Sequence, residues 1–304
     1  MQMHTIWSDR GGAHDAAGLA GDDLPALMLA SRGGSLSVSG GAASAWLVLR
    51  GSATLACREG SFVIAAGQWL VLEGDAGPLL HAAEDGLVLG VALPPRVQVP
   101  AVVDGGLFPG LGRLAPGTRA AALRLWRGCA HFARNASGVY EVERLRLEAV
   151  LRLLAAQQAG LRELVDRCPG RSLRRRRQVF ARMQRAWLYL AGNLDRPVRL
   201  AELAERGNVS VWYFTKTFQA LYGEGPQAAS TRMRLAHAAR LLRGSRLSVG
   251  EAGAACGFEN NCSFSRAFRA RFGMPPSRYR VPAGTPYTAN RTGMHGQASA
   301  RLRP

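Results

Sequence analysis

The sequence lacks the features that mark membrane, secreted and metal-dependent proteins. No apolar run reaches the ~20 residues that a membrane helix needs. The segment from Met1 to Gly21 has neither the basic start nor the hydrophobic stretch of a signal peptide. The five cysteines form no CxxC pair, so reduced thiols are the simplest interpretation. These absences predict a cytoplasmic protein, for which neither a metal nor a cofactor is expected.

Acidic residues are scarce in one half of the chain only. Residues 1–170 carry 15 Arg and 15 Asp or Glu, whereas residues 171–304 carry 24 Lys or Arg and 6 acidic residues, a net charge of +18. Because neutralised phosphates release condensed counterions, this asymmetry favours nucleic acid as a partner. The alternative is a solvated basic face, but the neutral first half argues against a bias along the whole chain.

Short apolar segments separated by glycines follow one another between residues 36 and 93. Their hairpin spacing predicts antiparallel strands, which a barrel or a sandwich would bury. The predicted strands are Ala45–Arg50, Ala53–Cys57, Phe62–Ala65, Trp69–Leu72, Leu79–Ala82 and Leu87–Ala92. Residues 1–35 are interpreted as a partly disordered N-terminal arm.

A Pro- and Gly-rich connection over residues 94–117 leads to two predicted amphipathic helices, Thr118–Asn135 and Val139–Asp166. The second helix has an apolar stripe that could pack against its own domain or against another copy, and the homodimer is favoured. The stripe consists of Leu147, Leu151, Leu154, Leu161, Leu164 and Val165. Residues 36–167 are therefore assigned to one domain.

Residues 168–178 are predicted to be a basic linker. Pro169-Gly170 breaks the preceding helix, and the run Arg174–Arg177 follows. The run could contact phosphates or form a solvated hinge. Beyond the domain predicted for residues 179–280, the tail at 281–304 has no periodic pattern and is expected to be disordered.

Residues 179–280 contain a duplication at an offset of 50 positions. In each copy a short helix, Leu200–Arg206 or Val249–Cys256, carries a small residue where a second helix approaches. A turn with residues that tolerate left-handed backbone follows, and then a helix opened by a capping side chain. The corresponding sets are Phe214, Thr215, Lys216, Phe218, Ala220, Tyr222, Gly223, Pro226 and Phe264, Ser265, Arg266, Phe268, Ala270, Phe272, Gly273, Pro276.

This order of elements is that of a helix-turn-helix, whose second helix reads base edges in the major groove. The predicted caps are Ser210 in the first copy and Asn260 or Asn261 in the second. Arg266 is the candidate for a bidentate guanine contact, and Lys216, the one lysine of the chain, matches its position. A phosphate contact is the alternative for both residues. The predicted DNA-facing residues are Trp212, Thr215, Lys216, Gln219, Asn261, Cys262, Ser263, Ser265, Arg266 and Arg269.

Residues 179–280 resemble the DNA-binding domain of the AraC/XylS family of transcription regulators. The resemblance lies in GFENNCSFSRAFRARFGMPPSRYR, LAELAERGNVSVWYFTKTFQALYGEGP and RMRLAHAARLLRGSRLSVGEAG. It implies a cytoplasmic, nucleoid-associated regulator with a seven-helix domain. A linker helix at about Pro226–Leu242 would hold two recognition helices in successive major-groove segments, ~34 Å apart. Double-stranded DNA is the implied partner, and RNA polymerase is a further candidate.

Two positions depart from the family pattern. Ala229 replaces a usual aromatic residue, and Ala252-Gly253 replaces a usual Ile-Ala pair. The lost bulk is expected to weaken packing at both places by about 1–3 kcal/mol where neighbours do not fill the space.

The resemblance implies a cupin-like β-barrel in the first half, so the predicted fold class is α+β, with this barrel and helices preceding an all-α domain. A metal-dependent cupin would need clustered histidines and acids, and His81 is the one histidine between residues 15 and 130. The residues predicted to line a pocket for an effector of unknown identity are Trp46, Arg50, Trp69, Glu73 and His81.

Three functions are compatible with the sequence. The first is a regulator whose N-terminal domain senses a small molecule. The second is a regulator whose first half only dimerises or binds a protein. The third is an enzyme with a DNA-binding appendage, which would need a reactive-cysteine motif such as PCHR that this chain lacks.

Overall fold

The computed structural model describes residues 3–16, 24–95, 106–135 and 140–280. The predicted tail at 281–304 and part of the predicted connection at 94–117 lie outside these residues. The strands are β1 (His4–Asp9), β2 (Ala13–Asp15), β3 (Ala26–Ser31), β4 (Ser35–Ser37), β5 (Ala43–Arg50), β6 (Ser52–Cys57), β7 (Gly60–Ala65), β8 (Gln68–Leu72), β9 (Leu79–Ala82), β10 (Leu87–Leu93) and β11 (Gly110–Arg113). The helices are α1 (Thr118–Asn135), α2 (Tyr140–Gln157), α3 (Ala159–Asp166), α4 (Leu173–Gly192), α5 (Leu200–Arg206), α6 (Val211–Tyr222), α7 (Pro226–Gly244), α8 (Val249–Ala254), α9 (Asn261–Phe272) and α10 (Pro276–Tyr279).

The described strands form two sheets. The six-stranded sheet has the order β1-β3-β10-β5-β8-β11, and the five-stranded sheet has the order β2-β4-β9-β6-β7. The cupin-like β-barrel predicted from the sequence is therefore wrong in one respect, because these strands do not close into a barrel. The six predicted strands are present as β5 to β10, within two residues at each end.

The six-stranded sheet is covered on both faces. One face packs against the five-stranded sheet through residues such as Trp46, Val48 and Leu70. The other face packs against α1 and α2 through residues such as Leu47 and Trp69. Burial on both faces explains why β3, β5 and β10 are nearly continuous apolar runs without polar alternation.

Strands β1, β2 and β3 lie within residues 1–35, for which the sequence predicts a partly disordered arm. β1 pairs with β3, and β2 pairs with β4, both in parallel. The short length of β2 and β4, at three residues each, leaves almost no periodic signal. Residues 3–16 are thus integrated into both sheets.

The apolar stripe predicted on one long helix is divided between two helices. α2 ends at Gln157 and α3 begins at Ala159, and the buried Gln158 lies between them. Leu147, Leu151 and Leu154 are buried against the six-stranded sheet of their own domain. That part of the stripe is therefore not available to a second copy. The stripe was the reason for favouring a homodimer, so these three leucines no longer support that prediction.

Contacts divide the chain into two compact units, Met1–Gly192 and Asn193–Pro304. The arginine run predicted as part of a linker lies in the first turns of α4. α4 contacts α3, β7 and β11, and Leu188 inserts into the core between the two sheets. The helix that would open the predicted seven-helix domain is thus grouped with the sheets, and α5 to α10 form the second unit.

The second unit is organised around α7. This helix contacts α6, α8, α9 and α10. It begins at Pro226 after an extended Gly225, as expected for proline in the first turn. It ends at Gly244, two residues later than predicted. Both helix pairs described below therefore pack on one long element.

Candidate nucleic-acid interface

The first helix pair consists of α5, a tight turn and α6. Asn208 adopts left-handed backbone with φ 49°, while Gly207 remains right-handed. The Val209 amide donates to the Ala204 carbonyl at 3.1 Å, which closes the turn. Ser210 then caps α6 by accepting a hydrogen bond from the Tyr213 amide at 3.2 Å. The predicted turn and cap are confirmed, with Asn208 rather than Gly207 in the left-handed region.

The second helix pair consists of α8, a turn and α9. Ser248 and Glu251 form a capping box at the start of α8, and this contact lowers the pKa of Glu251. Gly257 supplies the left-handed residue of the turn, with φ 68°. Asn260 caps α9 by accepting from the Ser263 amide at 2.8 Å. Of the two predicted caps, Asn260 is the one used.

The inward faces of α6 and α9 carry the same aromatic ladder. The Phe214 and Phe218 rings lie 5.6 Å apart, and those of Phe264 and Phe268 lie 5.5 Å apart. All four rings are fully buried. In each helix the next ring, Tyr222 or Phe272, lies 4.5 Å from its neighbour. Equal spacing in both copies shows that the duplication extends to side-chain packing.

At Gly253, where the sequence departs from the family pattern, a neighbouring aromatic ring occupies the space of the missing side chain. A Cβ atom there would lie 2.9 Å from Cδ1 of Phe264. The Phe264 ring therefore occupies the space that the side chain of an alanine would need. Ala229 and Ala252 are also fully buried.

Most of the residues predicted to face DNA are exposed. Thr215, Ser263 and Ser265 are half-buried instead. Thr215 donates its hydroxyl to the Val211 carbonyl, and Ser263 donates its own to the Asn260 carbonyl. These two hydroxyls are thus engaged with the backbone of their own helix or its cap. The exposed set is Trp212, Lys216, Gln219, Asn261, Cys262, Arg266 and Arg269.

The two exposed faces differ in chemistry. On α6, Trp212 is 69% exposed and the Lys216 ammonium lies 4.8 Å from its ring centroid, a cation–π contact. On α9, Arg266 and Arg269 stand at the positions of Lys216 and Gln219. One face therefore presents an aromatic surface with one cation, and the other presents two guanidinium groups.

Arg234 of α7 holds the turn of the second helix pair. It is 7% exposed and donates to the carbonyls of Cys256 and Gly257, both at 2.7 Å. Its guanidinium also lies 4.4 Å from the Phe258 ring centroid. Arg234 is not among the functional residues predicted from the sequence. Its signal is its spacing, because Ser230 and Ala238, four residues to either side, are also buried.

The basic charge persists in the described part of the second unit. Residues 193–280 carry 14 basic and 6 acidic side chains. Three of the acids are engaged locally: Glu202 pairs with Arg196, Glu224 pairs with Arg232, and Glu251 caps α8. Arg266 and Arg269 form no ion pair with another described residue.

The predicted effector pocket is not assembled in the first unit. Trp46 is fully buried between the two sheets and donates to Ser44 Oγ. Trp69 lies on the opposite face of the same sheet and donates to the Arg113 carbonyl. Because neighbouring residues on paired strands alternate faces, the two tryptophans cannot line one pocket.

The remaining three predicted pocket residues are also separated. Arg50 is exposed at the end of β5 and donates to the Asp85 carbonyl. His81 is exposed on β9, where its Nδ1 lies 2.9 Å from Ser35 Oγ. Glu73 is half-buried and pairs with Arg185 at 3.1 Å, and burial raises its pKa. Among the described residues no group of His, Cys, Asp and Glu side chains could hold a metal ion. No helix within the described ranges is long and apolar enough to cross a membrane.

Comparison with known proteins identifies one domain family within the second unit. A family model described as a helix-turn-helix domain matches residues 203–281. The transcriptional regulator CdhR of Pseudomonas aeruginosa is 36% identical over 123 residues, which cover 38% of this chain and 34% of CdhR. The regulator GlxA of Rhizobium meliloti is 30% identical over 184 residues, covering 60% of this chain and 52% of GlxA. Residues 203–281 form an AraC-type helix-turn-helix domain.

A solved structure of a probable AraC family transcriptional regulator from Rhodopseudomonas palustris is 31% identical. The match covers 33% of this chain and 98% of the chain in that solved structure, with a TM-score of 0.31. The chain spans about a third of CdhR and about half of GlxA. The AraC-type match includes α6 to α10, and therefore both capped helices.

Proposed function

We propose that this protein is a sequence-specific transcription regulator that inserts α6 and α9 into two adjacent major-groove segments of DNA. The observation that carries the proposal is the pair of capped helices with matching inner aromatic ladders and exposed outer faces that each carry a cation. A helix used in this way needs its inner face locked in the domain and its first turns free for base edges. Both helices meet these requirements.

Binding would combine phosphate contacts with base contacts. The excess of basic residues in the second unit supports the first kind, which supplies affinity but no sequence information. Arg266 supports the second kind, since its guanidinium is exposed on the outer face of α9 and can pair bidentately with guanine. Trp212 is suited to apolar contact with a thymine methyl group.

The first unit is proposed to modulate this binding by recognising a small molecule. The alternatives are a first unit that only dimerises and one that binds a protein partner such as RNA polymerase. The homodimer cannot rest on Leu147, Leu151 and Leu154, because the sheet covers them. An enzymatic role has no supporting observation in the described residues.

Selection of bound sequences from random duplex DNA by the full-length protein tests the function. Two enriched blocks about one helical turn apart are expected if both helices read bases. One enriched block would mean that one helix pair reads sequence and the other does not. Binding without enrichment, lost as salt rises, would refute sequence-specific regulation by this chain alone.

A further inference from the structure

An open groove lies on the outer side of the first unit, between α1 and α2. Its volume is about 800 Å³, within the range of small-molecule sites. Apolar side chains of both helices form much of its wall, among them Ala121, Leu125, Ala149 and Leu153. None of the five residues predicted to line an effector pocket is among the described residues of this groove.

Two arginines line this groove from opposite sides. Arg124 is on α1 and Arg146 is on α2. Neither forms an ion pair within the described part of the chain. The Arg146 guanidinium lies 5.2 Å from the Phe132 ring centroid. Its Nη1 atom is shielded from solvent and has no hydrogen-bond acceptor among the described residues. A shielded donor without an acceptor is unfavourable. Arg146 is half-buried and lines the groove, so a rotation of its side chain toward a ligand oxygen there would satisfy this donor.

No acidic residue is among the described residues that line the groove. Glu148, the nearest acid along α2, lies between Arg144 and Arg152, at 3.6 Å and 3.7 Å from them. Its charge is thus matched by arginines outside the groove wall. The site therefore has a positive charge at both walls and an apolar surface between them.

We propose that the groove between α1 and α2 binds a small amphipathic organic anion, with Arg124 and Arg146 on its acidic group and the apolar wall on its body. The proposal rests on the proposed function insofar as the bound anion would be the effector that the first unit senses. The binding site itself stands independently of DNA binding. Of the two arginines, Arg146 is the central residue, because only its guanidinium has a shielded donor without an acceptor.

A matched pair of fluorescent probes tests the site on the full-length protein. Anilinonaphthalene sulfonate has an apolar body and an anionic group, and phenylnaphthylamine has the same body without the charge. One sulfonate probe per chain is expected to bind, with the neutral probe bound at least about fivefold more weakly. Arg146→Gln and Arg124→Gln should each weaken the sulfonate about tenfold, as expected for a charged hydrogen bond.

Arg127→Gln is the matched control. It removes the same charge from an exposed position on α1 that does not line the groove. Its sulfonate affinity should stay within about twofold of the wild type, since exposed charges at a distance are screened. Ala149→Phe should block both probes by filling the groove. If it does not fold, the arginine variants still decide the question.

Three results would overturn the proposal. The first is equal weakening by Arg127→Gln and Arg146→Gln, which would indicate a general charge effect. The second is unchanged probe binding in Ala149→Phe. The third is an absence of sulfonate binding to the wild type. A concentration-dependent dimer in sedimentation that Ala149→Phe dissociates would then assign the groove to a second copy.

DNA affinity measured in the same samples separates the two proposals. If the sulfonate binds as expected and DNA affinity does not change, the site stands and its role as an effector site fails. If no variant or wild-type sample binds DNA while the sulfonate still depends on Arg146, the proposed function fails and the site stands.

Discussion

The guanidinium of Arg234 donates to two consecutive carbonyls, those of Cys256 and Gly257, and so joins the long helix α7 to the turn that precedes α9. The same turn is restricted from its other side. A Cβ atom at Gly257 would lie 2.6 Å from the Arg196 Cα and 2.6 Å from the Asp195 carbonyl oxygen. The orientation of α9 thus depends on one buried charge and one residue without a side chain.

Arg234→Met is expected to lower the free energy of unfolding of the second unit by about 2–4 kcal/mol. It removes two charged hydrogen bonds and leaves the carbonyls of the buried Cys256 and the half-buried Gly257 without their donor. Urea denaturation of the full chain, followed by circular dichroism, measures the effect. Arg232→Met on the same helix is the control, because its ion pair with Glu224 is partly exposed and should contribute at most about 1 kcal/mol. Equal losses in both variants would contradict the assigned role of Arg234.

Replacing glycines by alanine is expected to separate two costs to stability, that of an unfavourable backbone φ and that of a steric clash at the added Cβ atom. Gly257→Ala combines a φ of 68° with the close contacts above, so a loss of more than about 2 kcal/mol is expected. Gly273 has a φ of 75°, but a Cβ atom there would meet no atom within 4 Å. Gly273→Ala should therefore show only the conformational cost of about 1–2 kcal/mol.

Gly244→Ala completes that series as the neutral control. Gly244 closes α7 with no neighbouring atom within 4 Å, and its φ is not positive. Alanine there should be neutral or stabilising by up to about 1 kcal/mol. Urea midpoints of the three variants provide the comparison. A smaller loss for Gly257→Ala than for Gly273→Ala would contradict the tight turn.

The second unit could be predicted from sequence because its signals are local and occur twice. Phe214 and Phe264 are each followed by a second phenylalanine four positions later, which is a helical spacing. Ser210 and Asn260 stand directly before the helices that they cap. The predicted helices and turns therefore agree with the structure. Arg234 was missed because its partners are carbonyls 22 and 23 residues away, and backbone acceptors leave no trace in a sequence.

The first unit was less predictable because its decisive contacts are distant in sequence. Gln158 interrupts the predicted helix although neither it nor its two neighbours in sequence is a glycine or a proline. Its amide accepts from the Phe108 backbone N–H at 2.9 Å and donates to the Phe108 carbonyl at 2.7 Å, across 50 residues. Trp46 and Trp69 lie on paired strands that two other strands separate in sequence, so their spacing alone does not fix the faces that they occupy. The register that places them on opposite faces, Trp46 beside Leu70 and Leu47 beside Trp69, needs the sheet.

Asp9→Asn is expected to destabilise the first unit near neutral pH, by about 1 kcal/mol or less because the Asp9–Arg32 ion pair is partly exposed. Hydrogen bonds from Arg32 and Ser31 lower the pKa of Asp9 to about 2. A depressed pKa in the folded protein means that the stabilisation is present above the unfolded value of about 4. It is lost as the pH falls through about 2.

Urea denaturation of wild type and Asp9→Asn between pH 6 and pH 2 measures this contribution. The two curves should converge toward the acidic end, because protonation removes the same charge that the substitution removes. Asp166→Asn, which breaks a more exposed pair with Arg176, serves as the control with little effect at any pH. A difference between wild type and Asp9→Asn that persists undiminished at pH 2 would exclude the ionised carboxylate as its source.

The last prediction concerns base reading by the two outer faces. Lys216 and Arg266 occupy matching positions on α6 and α9, so each alanine variant should relax the sequence preference in one block of the selected DNA and leave the other block unchanged. A loss of about 1–3 kcal/mol of discrimination is expected for Arg266→Ala if its guanidinium pairs with guanine. Arg271 is an exposed cation on α9 outside the predicted contact set, so Arg271→Ala should weaken binding to all sequences alike or have no effect.

Titrations of each variant against the selected site and against a scrambled duplex, repeated at several salt concentrations, separate these effects. Equal losses on both duplexes for Arg266→Ala, with a salt slope reduced by about one unit, would instead assign Arg266 to a phosphate.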